Sequence, residues 1–149
     1  MTQIVKGSIV GFFVMLILAS TTLAADVKMY KSPYCGCCTS WSDHLESGGF
    51  AVSTEKRDDM DAIKARHGIP IHLRSCHTAL VDGYIIEGHV PLSDIKRMLK
   101  ERPDIKGLTV PGMPIGSPGM EQGNRRDRFN VLAIRKDGST YLYNSYPGR

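Results

Sequence analysis

The chain has 149 residues, enough for one domain with a small appendage. Its hydrophobic share of 42% and charged share of 23% are ordinary for a globular protein, and neither suggests a disordered chain. The net charge of +4 is small, and the basic pairs Lys56-Arg57 and Arg125-Arg126 are followed directly by acidic residues. A solvated surface explains such pairs, so we expect no nucleic-acid partner.

Residues 1–24 have the layout of a secretory signal peptide. Lys6 supplies the positive start, an uncharged apolar run extends from Ile9 to Leu18, and Thr22-Leu23-Ala24 offers small residues for cleavage. An uncleaved membrane anchor is the alternative, but the run is shorter than the roughly 20 residues that a spanning helix needs. We therefore predict an exported protein whose domain covers residues 25–149 and which has no membrane segment after cleavage.

The first half of the domain alternates between strand and helix patterns. The expected order is a strand over Val27 to Tyr30, a helix over Thr39 to Glu46, a strand over Phe50 to Lys56 and a short helix over Met60 to Arg66. Ser47-Gly48-Gly49 ends the first helix, because glycine suits the left-handed cap.

A hairpin and a third helix complete the predicted core. Ile69 to Ser75 is expected to be a loop, and Asp82-Gly83 is the preferred two-residue turn between Thr78 to Val81 and Tyr84 to Glu87. Pro91 begins a helix that Arg102-Pro103 closes. This order predicts a mixed four-stranded sheet flanked by helices, in the thioredoxin-like arrangement.

Residues 107–149 are predicted to be an extension of that core. Gly107 to Gly123 is rich in Gly, Pro and Met and has no periodicity, which is typical of a long functional or mobile loop. Phe129 to Ile134 and Thr140 to Tyr143, joined through Asp137-Gly138, predict a second hairpin that extends the sheet or packs on the core. The fold class is therefore α/β, with a C-terminal loop and β-hairpin extension.

Three of the four cysteines, Cys35, Cys37 and Cys38, lie within four consecutive positions between the first strand and the first helix. The N–H groups and the positive dipole end at the start of a helix favour thiolate, the form that binds metal or attacks disulfides. In the thioredoxin-like arrangement the loop that enters the hairpin lies beside this turn, and here that loop carries Cys76. The sequence therefore predicts that four thiols meet.

Four thiols at this spacing leave several chemistries open. Thiolates select Cu(I), zinc or iron–sulfur clusters, and adjacent cysteines suit Cu(I) because sulfur can bridge several copper ions. A structural zinc site usually draws on two separated ligand pairs, which this chain lacks. In an exported protein, Cys35–Cys38 or Cys37–Cys76 disulfides are the alternative without metal.

A thiol–disulfide oxidoreductase is the competing function. Cys35 and Cys38 form a C-x-x-C pair, in which one thiolate attacks and the other resolves, and Cys76 would be auxiliary. Cys37 does not fit this scheme, because a third thiol in the turn would scramble the disulfide. Cys76-His77 also stands where such enzymes usually have a proline that shapes the substrate groove.

Other side chains are candidate donors. His44, on the helix after the cysteines, and His77, beside Cys76, are candidate ligands or proton carriers. Met113 and Met120 offer thioethers for Cu(I), or pin the long loop to the core. No role is assigned to His89, which follows the hairpin.

Four motifs, in the same order along Val27 to Glu121, resemble one known family. They are Tyr34-Cys35-Gly36-Cys37-Cys38 with Trp41, Ser75-Cys76-His77-Thr78-Ala79, Ile86-Glu87-Gly88-His89-Val90-Pro91, and Val110-Pro111-Gly112-Met113-Pro114 continuing to Glu121. Together they resemble the CopG-type copper-resistance proteins, which are small exported proteins.

The resemblance implies a thioredoxin-like fold, a periplasmic location and a role in copper resistance. It implies Cu(I), as several ions, held by Cys35, Cys37, Cys38 and Cys76. Family members accompany copper efflux and copper oxidation systems, whose components are therefore candidate partners, and interconversion of Cu(I) and Cu(II) is proposed for them. The resemblance leaves open whether copper is turned over or only sequestered.

Overall fold

The computed structural model describes residues 25–149, so the predicted signal peptide lies outside the described residues. Three α-helices and one seven-stranded mixed sheet form this part of the chain. The elements are, in order, β1 (Asp26–Lys31), α1 (Gly36–Ser47), β2 (Ala51–Lys56), α2 (Met60–Arg66), a 3₁₀ turn (Ile71–Leu73), β3 (His77–Val81), β4 (Tyr84–Glu87), α3 (Leu92–Glu101), β5 (Gly107–Thr109), β6 (Phe129–Ile134) and β7 (Thr140–Tyr146). Within residues 25–149, no helix combines the length and apolar character that crossing a membrane requires.

The sheet order is β2-β1-β3-β4-β5-β6-β7. In its first four strands β1 is parallel to β2 and antiparallel to β3, and β3 and β4 form the predicted hairpin. These directions confirm the α/β class and are compatible with the thioredoxin-like arrangement. The second hairpin, β6 and β7, extends the same sheet through β5.

Several elements differ from the sequence-based expectation, among them α1 and β5. Helix α1 begins at Gly36 instead of Thr39, so Cys37 and Cys38 lie in its first turn. Strand β5 lies inside the segment expected to be a loop, and it pairs parallel to β4. A Cβ at Gly107 would collide with the backbone of Ile85, so glycine allows β5 to lie this close to β4.

The core packs α1 against the sheet and thereby fixes the start of that helix. Trp41 is fully buried, and its indole Nε1–H donates a hydrogen bond to the Val90 carbonyl oxygen at 2.9 Å.

Gly88 has φ of +72°, and a Cβ there would meet Ser75 and, at 2.8 Å, the Val110 carbonyl oxygen. The chain can therefore turn inward after β4, and this turn buries His89 beside α1.

A buried ion pair lies behind the loop that leads into β3. Lys64 Nζ is 2.7 Å from Glu87 Oε1, and the two side chains are 4% and 0% exposed. Lys64 Nζ and the Ser75 backbone N–H donate to Glu87 Oε1, while the Thr78 hydroxyl donates to Oε2. Burial raises the pKa of Glu87, and Lys64 opposes that shift. The pair thus joins α2, β3 and β4 around the turn that carries Cys76.

We expect Lys64→Met to lower the free energy of unfolding by about 3–5 kcal/mol near pH 7, because the Glu87 carboxylate stays buried without its cation. Losing Lys64 raises the folded-state pKa of Glu87 further above its unfolded value. The penalty is then full above the folded-state pKa and shrinks as the pH falls from that value towards the unfolded-state pKa, below which it is absent. Urea unfolding at about pH 7 and about pH 5 should show a smaller deficit at the lower pH.

The control for this prediction is the double variant Lys64→Met/Glu87→Gln. It removes both charges and keeps an amide that can accept the Ser75 N–H, so it should recover much of the lost stability. A deficit of equal size at both pH values would contradict the assignment to an unpaired carboxylate.

Candidate metal centre

The first turn of α1 presents three cysteines at one end of the sheet. Cys35 occupies the N-cap position with extended backbone, and no side chain caps the helix there. The Lys31 side chain holds this turn, because its Nζ donates to the Cys35 carbonyl oxygen at 2.7 Å and to Thr39 Oγ1 at 2.7 Å. Lys31 is 4% exposed, which places a positive charge directly beneath the cysteine turn.

The four sulfurs meet as predicted. Cys35, Cys37, Cys38 and Cys76 offer Sγ atoms that all lie within 4.8 Å of one another. Cys35 and Cys38 are joined as a disulfide, whereas Cys37 and Cys76 are free thiols. The Cys35 and Cys37 sulfurs are 3.4 Å apart. Of the two candidate disulfides, the structure therefore contains Cys35–Cys38, and the Cys37–Cys76 bridge is not formed.

Cys76 lies directly before β3 and is a protonated thiol at neutral pH. Burial raises the pKa of the Cys76 thiol to about 12, and the neighbouring Cys37 contributes to this shift. The Ser75 hydroxyl and Lys64 act in the opposite direction and favour the thiolate. At Cys76, burial therefore opposes the preference for thiolate that the start of α1 provides. The loss of hydration in its partly buried position outweighs the favourable dipoles around it.

Two histidines complete the surroundings of Cys76. His77 Nδ1 is 3.3 Å and His89 Nε2 is 3.0 Å from the Cys76 sulfur. Burial lowers the pKa of both imidazoles, so both rings are neutral, which is the form that binds metal. The His77 ring also packs on Trp41, with ring centroids 4.3 Å apart.

Sequence reasoning found one of these histidines and missed the other. His77 was a candidate and contacts Cys76, but His44 is in neither cluster of metal-binding side chains found in residues 25–149. His44 instead lines a separate cleft with Pro91 and Tyr146. The signal for His89 was weak: it directly follows Gly88, whose positive φ turns the chain inward.

The long loop covers the centre from one side. Pro118 accepts a hydrogen bond from His89 Nδ1 at 2.8 Å. Gly119 has φ of +83°, and a Cβ there would lie 2.7 Å from the Cys37 carbonyl oxygen and 2.8 Å from the Trp41 nitrogen. The loop backbone therefore lies directly on the first turn of α1. Met113 is 52% exposed and so does not pin the loop to the core, whereas Met120 is partly buried.

Fold and site together define a class: a small α/β protein with a cluster of four cysteine sulfurs at the strand-to-helix turn. Comparisons with known proteins identify the family within that class. The family model described as "Protein of unknown function, DUF411" matches residues 73–120. No curated protein sequence matches the chain.

Two solved structures are similar over most of the chain. "Copper resistance protein copG- Form 2" is 43% identical, with a TM-score of 0.81, and the match covers 84% of this chain and 100% of that one. "Copper resistance protein copG- Form 1" is 44% identical, with a TM-score of 0.80 and coverage of 85% and 100%. The chain belongs to the CopG family of copper-resistance proteins.

We expect Gly119→Ala to move the loop away from α1, because the added Cβ meets backbone atoms that cannot rotate aside. The free thiols Cys37 and Cys76 should then react faster with iodoacetamide, which mass spectrometry measures while the Cys35–Cys38 disulfide is intact. Thermal unfolding should occur at a lower temperature as well.

Gly123→Ala is the matched control for this prediction. Gly123 also has a positive φ, +54°, but a Cβ added there would have no other atom within 4 Å. That variant carries only the backbone strain of about 1–2 kcal/mol and should leave thiol reactivity unchanged. Equal reactivity in the two variants would contradict a close contact between the loop and the cysteine turn.

Proposed function

We propose that this protein binds Cu(I) through Cys35, Cys37, Cys38 and Cys76 and contributes to copper resistance in the periplasm. The observation that carries the proposal is the meeting of four sulfurs within 4.8 Å at the start of α1. Two similar solved structures bear the name copper resistance protein, which supports copper as the metal.

The donor set suits Cu(I) in particular. Thiolates are soft ligands, and sulfurs this close together can bridge neighbouring ions, so the site suits more than one Cu(I). All four ligands become available only after the Cys35–Cys38 disulfide is reduced. Copper must also displace the proton of Cys76, so loading releases protons and is favoured at higher pH. The buried cations Lys31 and Lys64 offset part of the negative charge of the thiolates.

The same cysteines support redox handling of copper. Cys35 and Cys38 thiolates each give one electron to one of two Cu(II) ions, which yields two Cu(I) ions and the Cys35–Cys38 disulfide. Closing the disulfide withdraws two sulfurs from the copper site. Oxidation of this pair would therefore weaken retention of Cu(I), and reduction would restore it.

Location and partners follow from the same proposal. A protein exported by the segment over residues 1–24 would meet copper in the periplasm, where copper efflux and copper oxidase components are candidate partners. The cysteine turn lies at the surface, with Tyr34 beside it 93% exposed, and is accessible to a partner that delivers or accepts Cu(I).

We expect fully reduced protein to bind more than one Cu(I), and we expect Cys37→Ser and Cys76→Ser each to bind fewer ions, because each removes a bridging sulfur. Anaerobic native mass spectrometry counts the ions directly. Ser40→Ala, at an exposed position of the same helix, is the control and should bind as many ions as the unaltered protein. Unchanged stoichiometry in Cys37→Ser would argue against a multi-copper thiolate site.

A thiol–disulfide oxidoreductase is the second candidate, and the Cys35–Cys38 disulfide favours it. Cys38 is buried while Cys35 is partly exposed, as a resolving and an attacking cysteine should be. A surface cleft of about 410 Å³ beside Cys35 is lined by Lys31, Tyr34 and Thr39, among others, and could receive a substrate disulfide.

Insulin reduction discriminates between the two candidates. We expect turnover close to background, because Cys37 lies 3.4 Å from Cys35 and competes for any mixed disulfide formed there. Robust turnover that requires Cys35 and not Cys37 would favour the oxidoreductase. Cys35→Ser is the matched control, since it abolishes the C-x-x-C pair.

A further inference from the structure

Cys76 belongs to two donor groups at once. One is the group of four sulfurs, and the other consists of Cys76, His77 and His89, whose donor atoms also lie within 4.8 Å of one another. The Cys35–Cys38 disulfide removes two sulfurs from the first group. It leaves every member of the second group free, so the second group is intact in the oxidised structure.

His89 is oriented as a metal ligand should be. The Pro118 carbonyl oxygen can only accept, so its 2.8 Å contact with His89 Nδ1 fixes the proton on that nitrogen. The lone pair of Nε2 then points to the Cys76 sulfur at 3.0 Å. Metal-binding histidines usually donate their other ring nitrogen in this way, which fixes the tautomer and the ring orientation.

His77 adds a second imidazole to the group. Its Nδ1 is 3.3 Å from the Cys76 sulfur, and the side chain is 0% exposed. Its Nε2 has no hydrogen-bond partner among residues 25–149. Because His77 has fewer supporting contacts than His89, we regard His89 as the principal nitrogen ligand and His77 as the additional one.

We propose that Cys76, His89 and His77 form a nitrogen–sulfur metal site that persists when Cys35 and Cys38 are disulfide-bonded, and that its ligand is a single Cu(II) ion. Two neutral imidazoles and one thiolate are a donor set that suits Cu(II), whereas clustered thiolates suit Cu(I). The proposal rests on the proposed function, since it takes copper as the metal. It adds a second position in which the oxidised protein holds an ion.

The Cys35–Cys38 disulfide form and Co²⁺ alone provide the test. Co²⁺ is a probe that does not oxidise the free thiols, and a sulfur-to-cobalt charge-transfer band reports thiolate coordination. We expect one Co²⁺ per oxidised protein, with this band present. His89→Gln should weaken binding at least tenfold, and Cys76→Ser should abolish the band.

Two control variants show whether the Co²⁺ band comes from Cys76 and the two histidines. Cys37→Ser removes the other free thiol and should keep the band, while His44→Gln alters a histidine outside the group and should bind like the unaltered protein. Circular dichroism and cooperative thermal unfolding show whether His89→Gln is folded. If it is not, Cys76→Ser decides, since a band retained in that variant overturns the proposal.

The outcomes separate this inference from the proposed function. Failure of the oxidised protein to bind Co²⁺, or equal binding by His89→Gln, overturns the nitrogen–sulfur site. The Cu(I) stoichiometry of the fully reduced protein is measured independently and is unaffected by that result. Conversely, the four-thiol proposal is overturned if the fully reduced protein does not bind Cu(I), even where the oxidised form binds Co²⁺.

Discussion

The buried Lys64–Glu87 pair is the interaction on which the centre depends. Placing two charges in the interior costs several kcal/mol, and it is tolerated here because the carboxylate also accepts the Ser75 N–H and the Thr78 hydroxyl. Those contacts hold the turn before β3 against β4. Cys76 occupies that turn, so the pair determines where the fourth sulfur lies relative to α1.

Three chain segments that are distant in sequence then meet at the start of α1. The cysteine turn supplies three sulfurs, the turn before β3 supplies Cys76, and the long loop supplies the Pro118 carbonyl and the glycine backbone of Gly119. Cys76 is the member common to both donor groups. In the two proposed sites, a copper ion would pass between an all-sulfur and a nitrogen–sulfur environment without leaving Cys76.

Local signals predicted much of this structure, and the failures have physical causes. Strand β4 and helix α2 were predicted at their observed bounds, and β3 to within one residue, because turn chemistry and helical spacing act within a few residues. Strand β5 has three residues, too few for a pattern, and owes its pairing to Gly107. The position of His89 and the Lys64–Glu87 ion pair depend on tertiary packing, which no local pattern encodes. The approach of Cys76 to the other three cysteines was predictable only from the expected fold.

The packing of Trp41 on His77 has a practical consequence. Trp41 is the only tryptophan in the chain, and its ring centroid lies 4.3 Å from that of an imidazole which contacts Cys76. A metal ion or a new charge beside that imidazole alters the emission of an indole so close to it. The protein thus carries an intrinsic optical reporter, through which events at its sulfurs can be followed in real time without a label.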